Sequence, residues 1–373
     1  MKAKGLVLIS LILLVAVFSG PLLIPTADGQ EVTDVKVLMI VTEEFGWNYF
    51  DAKEILESWG VNVTTVAHAL DTDVASCNNR PVRGTTADFL LSEVENDIVT
   101  EFDALFIPSG GHWFGLILST RVLEFISYAH GHGVIIATTC IGNRVVAESN
   151  EIVNGTSVVN YINPNSFTAM VDAGAIIRYG YDTVTDNRII TGDSGGGPPP
   201  DGEGYLGAPT SEICVAIIRE ALGYSYVEQA GVLPLVGESG TSFNISVDVT
   251  DLDTELGSLS VVDTNITEVQ ARIFTEENRT LIDTIELTDA DEDWTFEGSF
   301  TGTVNGEYTI DIEVEDTNST LEVEREAASF TVGIVPTNTT TGTTGLALDP
   351  LLIGGALAGG LVLVVVVVFV KKR

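Results

Sequence analysis

Positive charge is scarce in this chain. Lys and Arg number 17 against 53 Asp and Glu, a formal net charge of −36 over 373 residues. Such a surface repels phosphate backbones, so nucleic acid is excluded as a partner; a high-salt habitat and divalent-cation binding both remain open. Cysteine is almost as rare: Cys77, Cys140 and Cys214 are the full set. Three thiols make no disulfide scaffold, and the odd count leaves at least one free or paired between chains. Histidine occurs four times, as His68, His112, His130 and His132. The "HGH" of His130 and His132 supplies two metal ligands without a nearby third, and the acidic turns "DLDTE" and "DADED" lack EF-hand spacing. No metal site and no cofactor are expected.

The length suffices for two domains of ordinary size. Both ends read as targeting. Lys2 and Lys4 precede "GLVLISLILLVAVF" and then small and turn-forming residues, the order of a secretory signal peptide over 1–29. Near the other end, 351–370 ("LLIGGALAGGLVLVVVVVFV") is uncharged and long enough to cross a bilayer as one helix. Lys371, Lys372 and Arg373 follow it, so 371–373 is expected to be a cytoplasmic tail and the bulk of the chain extracellular, held at the cell membrane by a single pass. Seven Asn-x-Ser/Thr sequons, at Asn62, Asn154, Asn244, Asn265, Asn278, Asn318 and Asn338, agree with an outside, glycosylated protein.

Between the ends the texture changes once. Over 31–229 near-continuous apolar runs ("DVKVLMIVT", "FDALFIPSGG", "GVIIATT") alternate with helical spacing ("FDAKEILESWG", "RVLEFISYAHGHG", "SEICVAIIREALG"). This pattern predicts an α/β domain, a parallel sheet sandwiched by helices, with its ligand crevice at the carboxyl ends of the strands. Over 240–333 about seven short alternating segments predict an all-β, immunoglobulin-like sandwich serving as a stalk or adhesion module. The Thr-rich segment 334–350 reads as an extended linker.

Cys140, in "VIIATTCIGNRVVA", ends a strand where a helix begins. One reading is a nucleophile on a sharp turn, its thiolate favoured by a helix N-terminus and the Ile141 amide free to stabilise an oxyanion. The other is a small apolar side chain filling a core. The strand ends at Ser109–Gly111, Cys140–Gly142 and Ser194–Gly197 are expected to converge.

The succession "VKVLMIV", "FDALFIPSGG", "GVIIATTCIGNRVVAES", "AGAIIRYGYDTVTDNRIITG" and "EICVAIIREALG" resembles the ThiJ/PfpI family over roughly residues 35–224. That resemblance implies a flavodoxin-like fold related to class I glutamine amidotransferases, with Cys140 as the elbow cysteine and Gly111 and Ile141 as oxyanion-hole donors. It also implies glyoxalase-, hydrolase- or lyase-like chemistry on small carbonyl compounds, with a homodimer as the usual assembly. Peptidase-like members carry His after the cysteine, whereas Ile141 stands here, which disfavours peptidase chemistry. Many members place a Glu after the first strand; counting back from Gly60 puts Asn48 there, with Glu44 reaching it only after a shift of register. His112 is the candidate proton carrier, or else a polar loop residue facing water. Gly110, Glu44, Asn48 and Gly195 are expected to line the crevice, with Trp47 and Trp113 as walls. Cys77 is either a resolving thiol or an ordinary loop cysteine, and Cys214 is core. The alternative to an enzyme is a non-catalytic binding or structural surface module with an inert Cys140.

Overall fold

The computed structural model describes residues 31–78, 81–159, 163–193, 209–250 and 266–333. The expected signal peptide (1–29), linker (334–350), membrane span (351–370) and tail (371–373), and Gly195, lie outside these residues. No helix among the described residues is long and apolar enough to cross a membrane.

The first half alternates as the apolar pattern requires. In chain order it runs β1 (Lys36–Val41), α1 (Asn48–Ser58), β2 (Asn62–Ala67), β3 (Asp73–Ala75), β4 (Gly84–Thr86), β5 (Phe89–Leu90), β6 (Ala104–Ile107), α2 (Trp113–Ile117), α3 (Thr120–Gly131) and β7 (Ile135–Thr139). After β7 come α4 (Asn143–Ala147), β8 (Ser157–Val159), α5 (Pro164–Asp172), β9 (Ile176–Arg178), β10 (Thr183–Asp186), β11 (Ile189–Gly192) and α6 (Thr210–Leu222). Strands β11, β7, β6, β1, β2 and β5 lie side by side and parallel. The apolar runs of β1 and β6 follow from having both faces covered. In β1, Val37, Met39 and Val41 share a core with Ala52 and Leu56 of α1 and Ile213 and Ile217 of α6. Leu38 and Ile40 face the other way, into a core with Val122, Phe125 and Ile126 of α3.

The second half is all strand: β12 (Val227–Leu233), β13 (Val236–Gly237), β14 (Thr241–Val249), β15 (Ile266–Thr275), β16 (Leu281–Leu287), β17 (Thr295–Gly302), β18 (Gly306–Asp316) and β19 (Thr320–Val332). Strands β12, β14 and β17 form a three-stranded sheet. Its Phe243, Ile245 and Phe300 share the core that also holds Ile310, Ile312 and Phe330 of β18 and β19.

The expected freestanding stalk domain gains no support. Strand β19 pairs in parallel with β10, Thr183 opposite Thr320 through Asp186 opposite Val323. Strands β16, β15, β18 and β19 thereby extend the α/β sheet, and all described residues fall in one compact unit. The join is charged as well as hydrogen-bonded. Asp186, 1% exposed, accepts from Arg325 Nε at 2.5 Å and Nη2 at 2.6 Å and from the Ser157 amide at 2.6 Å. Arg219 of α6 pairs with Glu322 of β19 at 2.6 Å, their side chains 2% and 4% exposed.

Candidate functional site

Three strand ends build the site. Cys140 directly follows β7 and adopts φ +56°, a left-handed conformation disfavoured for any residue with a Cβ. Thr139 before it is still extended, so the chain turns sharply at the thiol. One 3-10 turn, Cys140–Gly142, leads into α4. The helix expected behind the cysteine is therefore only the five residues of α4, and its dipole contributes little to any thiolate. Cys140 is 7% exposed and in no disulfide.

Small polar residues fix the turn. Thr138 Oγ1 donates to the Ile107 carbonyl at 3.1 Å, and Thr139 Oγ1 to the Asp193 carbonyl at 3.0 Å. Asn143 Nδ2 donates to the Gly192 carbonyl at 3.1 Å. The turn is thus tied to the ends of β6 and β11 on either side. Gly142 is needed for the approach: a Cβ there would lie 2.5 Å from Thr138 Oγ1 and 2.9 Å from the Ile107 carbonyl oxygen. The sequence reading missed Thr138, Thr139 and Asn143 as positioning residues. The signal was present in "TTCIGN", whose hydroxyl and amide side chains interrupt an otherwise apolar strand end.

The end of β6 forms the second wall. Ile107 pairs with Thr138 one strand spacing away, about 4.8 Å, so the chain leaves β6 at Pro108 beside the strand end that carries Cys140. Gly110 has φ +116°, and a Cβ there would sit 2.2 Å from the Gly46 amide nitrogen. The loops after β1 and β6 therefore touch backbone to backbone, with Gly46 N donating to the Ser109 carbonyl at 2.6 Å and His112 N to the Glu44 carbonyl at 3.1 Å. Gly111 is exposed and Ile141 half-buried. Among the described residues, neither amide is a donor in a loop or turn backbone hydrogen bond.

Asn48 opens α1 and is 6% exposed. Its Oδ1 accepts from Ser109 N at 3.1 Å and Ser109 Oγ at 2.9 Å, which leaves Nδ2 a buried donor with no hydrogen-bond partner among the described residues. The register that brings Asn48 to the strand ends is the gapless one. Glu44 also reaches this place, but through the loop: its carboxylate lies over Gly111, where a Cβ would be 2.8 Å from Oε2.

His112 is 2% exposed and its Nε2 stands 2.7 Å from the Pro108 carbonyl. A carbonyl only accepts, so Nε2 carries the proton. Burial pulls the pKa from 6.5 down to about 4 against the opposing effect of that hydrogen bond, so the ring is neutral at pH 7. Of the expected walls, Trp113 stacks under Arg144, 4.8 Å from ring centroid to guanidinium, and Trp47 is partly buried against the α1 core.

Of the remaining thiols, Cys77 borders the loop after β1 and Cys214 lies in the core. Cys214 is fully buried in the α1–α6 core, and burial pushes its thiol far up. Cys77 is half-buried, its amide donating to the Phe45 carbonyl at 2.9 Å. His130 Nε2 meets the Asn187 carbonyl at 3.1 Å and His132 Nδ1 the Tyr128 carbonyl at 2.8 Å. His68, in the loop after β2, is shifted down by burial and the Arg121 charge. Among the described residues, Asp289, Asp291 and Asp293 of "DADED" form the one group able to gather three ligand atoms for a metal ion, far along the chain from the thiol.

A parallel α/β sheet with a cysteine on a strained strand-to-helix turn, beside the glycine-containing end of the neighbouring strand β6, is the local architecture. Residues 35–199 match the DJ-1/PfpI family, and this part of the chain is a DJ-1/PfpI domain. Solved structures similar to part of the chain include a two-domain protein with DJ-1/ThiJ/PfpI-like and ferritin-like domains from Anabaena variabilis, at 22% identity and TM-score 0.42, covering 51% of this chain and 48% of that one. A ThiJ/PfpI domain protein from Brachyspira murdochii is 19% identical at TM-score 0.42, covering 51% and 98%. DJ-1 of Schizosaccharomyces pombe is 15% identical at TM-score 0.40, covering 50% and 91%. No curated protein matches the chain.

Proposed function

We propose that this is a membrane-anchored, outward-facing DJ-1/PfpI-domain protein whose Cys140 reacts reversibly with small carbonyl compounds. The observation that carries the reading is the left-handed φ of Cys140. A core-filling cysteine gains nothing from such strain, whereas a nucleophile gains a fixed approach beside the Ile141 amide. In the reaction the thiolate sulfur bonds to the carbonyl carbon as the C=O π pair moves to oxygen. The Gly111 and Ile141 amides donate to that oxyanion, and the proton lost by the thiol returns to it, giving a thiohemiacetal. His112 carries that proton only through Nδ1, since Nε2–H is engaged by Pro108.

The outward placement rests on the sequence at 1–29 and 351–370, and on the solvent-facing sequon residues Asn62, Asn154, Asn244 and Asn278. Purified full chain should bind a small aldehyde stoichiometrically and reversibly and Cys140→Ser should not; equal binding by the two would refute the reading. The Asn48 amide, standing where a carboxylic acid would share a proton with the thiol, favours a second reading: a binding module with an unreactive Cys140. In that case neither protein binds aldehyde covalently.

A further inference from the structure

We infer that Glu44 makes the Cys140 site select neutral or cationic electrophiles over anionic ones. This deepens the carbonyl reading above and rests on it. The loop after β1 holds Glu44 at φ +69°, its amide donating to the Ala75 carbonyl at 2.8 Å and its carbonyl accepting from His112 N at 3.1 Å. With the backbone pinned on both sides, the side chain stands over the exposed Gly111, one of the two amides that would meet an oxyanion. Among the described residues this carboxylate has no ion pair: Arg83 goes to Glu54, Lys53 to Glu57 and Arg144 to Glu148. His112 brings no positive charge, because burial keeps its ring neutral. Glu43, next in the chain, is another acid, its Oε2 accepting from the Ala75 amide at 3.1 Å.

Among the described residues the site therefore sets neutral donors under a carboxylate that no ion pair offsets, with Glu43 and Asp193 as further acids nearby. The buried Asn48 Nδ2, a donor without a partner, adds a place for a ligand's acceptor atom beside Ser109 but no charge. Neutral α-dicarbonyls and amino-aldehydes suit such a site. An α-keto carboxylate would set its own anion against Glu44.

The test uses the full chain in mild detergent. Alkylation rates of Cys140 with iodoacetamide, which is neutral, and iodoacetate, an anion, are read by mass spectrometry of the Cys140 peptide. Taking the ratio of the two rates cancels the thiolate fraction, which Glu44 also affects. Glu44 stands over Gly111 rather than against the thiol, so solvent-screened like-charge repulsion is expected to weigh about two- to fivefold in rate. The ratio of iodoacetamide to iodoacetate rates should fall by about that factor in Glu44→Gln, stay high in Glu44→Asp, and shrink in the unaltered protein as salt rises. Labelling by both reagents with a ratio that Glu44→Gln leaves unchanged overturns the selectivity. Labelling by neither until the protein unfolds defeats the reactive-thiol reading itself, and this inference with it.

Discussion

Removing Arg219 should destabilise both halves of the molecule together. Its guanidinium pairs with Glu322 at 2.6 Å in a setting where both side chains are at most 4% exposed. It also stacks over Tyr226 at 4.8 Å. In Arg219→Met the Glu322 carboxylate keeps its hydrogen bonds from Ser225 Oγ and the Tyr226 amide but loses its counter-charge, with Glu220 close by. Stranding a buried charge costs about 3–5 kcal/mol, a large part of the roughly 5–15 kcal/mol that holds a domain folded. An exposed pair such as Lys53–Glu57, at 3.7 Å, is worth about 1 kcal/mol or less. Adding Glu322→Gln to Arg219→Met removes the stranded charge while preserving an acceptor for Ser225 and Tyr226, and should return about 2 kcal/mol. The assay is hydrogen exchange by mass spectrometry along a urea series, following peptides from β1 and β7 against peptides from β14 and β18. Because β10 and β19 are neighbours in one sheet, all four should lose protection in parallel and by the same free energy. The reasoning fails if Arg219→Met costs under about 1 kcal/mol, or if only the β14 and β18 peptides respond.

Other outcomes follow from single contacts. Gly142→Ala forces a methyl against Thr138 Oγ1 and the Ile107 carbonyl, so it should cost about 1–3 kcal/mol in urea unfolding and slow Cys140 alkylation as the turn shifts. Burial first and the Glu322 charge second push the Glu220 carboxyl from 4.5 up to about 7. Its contribution to stability is full below pH 4.5 and is lost as pH rises to 7, so Glu220→Gln should gain up to about 3 kcal/mol at pH 8 and flatten stability across that window in pH-resolved unfolding. His112 has the opposite sign: held down to about 4 by burial, it contributes fully above pH 6.5 and loses that contribution as pH falls to 4. His112→Gln should remove this acid limb, and the pH profile of Cys140 labelling should show no step near 6.5.

The order β1, α1, β6, α3, β7 and α6 was legible because each carries its own signature, an apolar run or a helical stripe closed by glycine, whereas short elements such as β3, β4, β8 and α5 carry none and were not legible. The placement of Cys140 was legible for the same reason, since a β-branched run broken by "CIG" has to turn there. What stayed hidden depends on partners distant in sequence. "GEYTIDIEVED" and "TLEVEREAASFTV" alternate apolar with acidic residues and so read as strands with one face in water. In the fold Asp311, Glu313 and Glu322 are at most 5% exposed. Their cover comes from elsewhere: Arg178 of β9 and Arg272 on Glu313, Arg279 on Asp311, and Arg219 of α6 on Glu322. Alternation reports that a strand has two unlike faces, and nothing in it says whether the acidic face meets water or arginine. The composition held the missing clue. In a chain with only 17 cations, five arginines sit on β18, β19 and Asp186, and three of them, Arg178, Arg219 and Arg325, cross from one half to the other. A surface that keeps proteins apart by negative charge has no need of arginine there; a buried seam between two acidic halves cannot close without it.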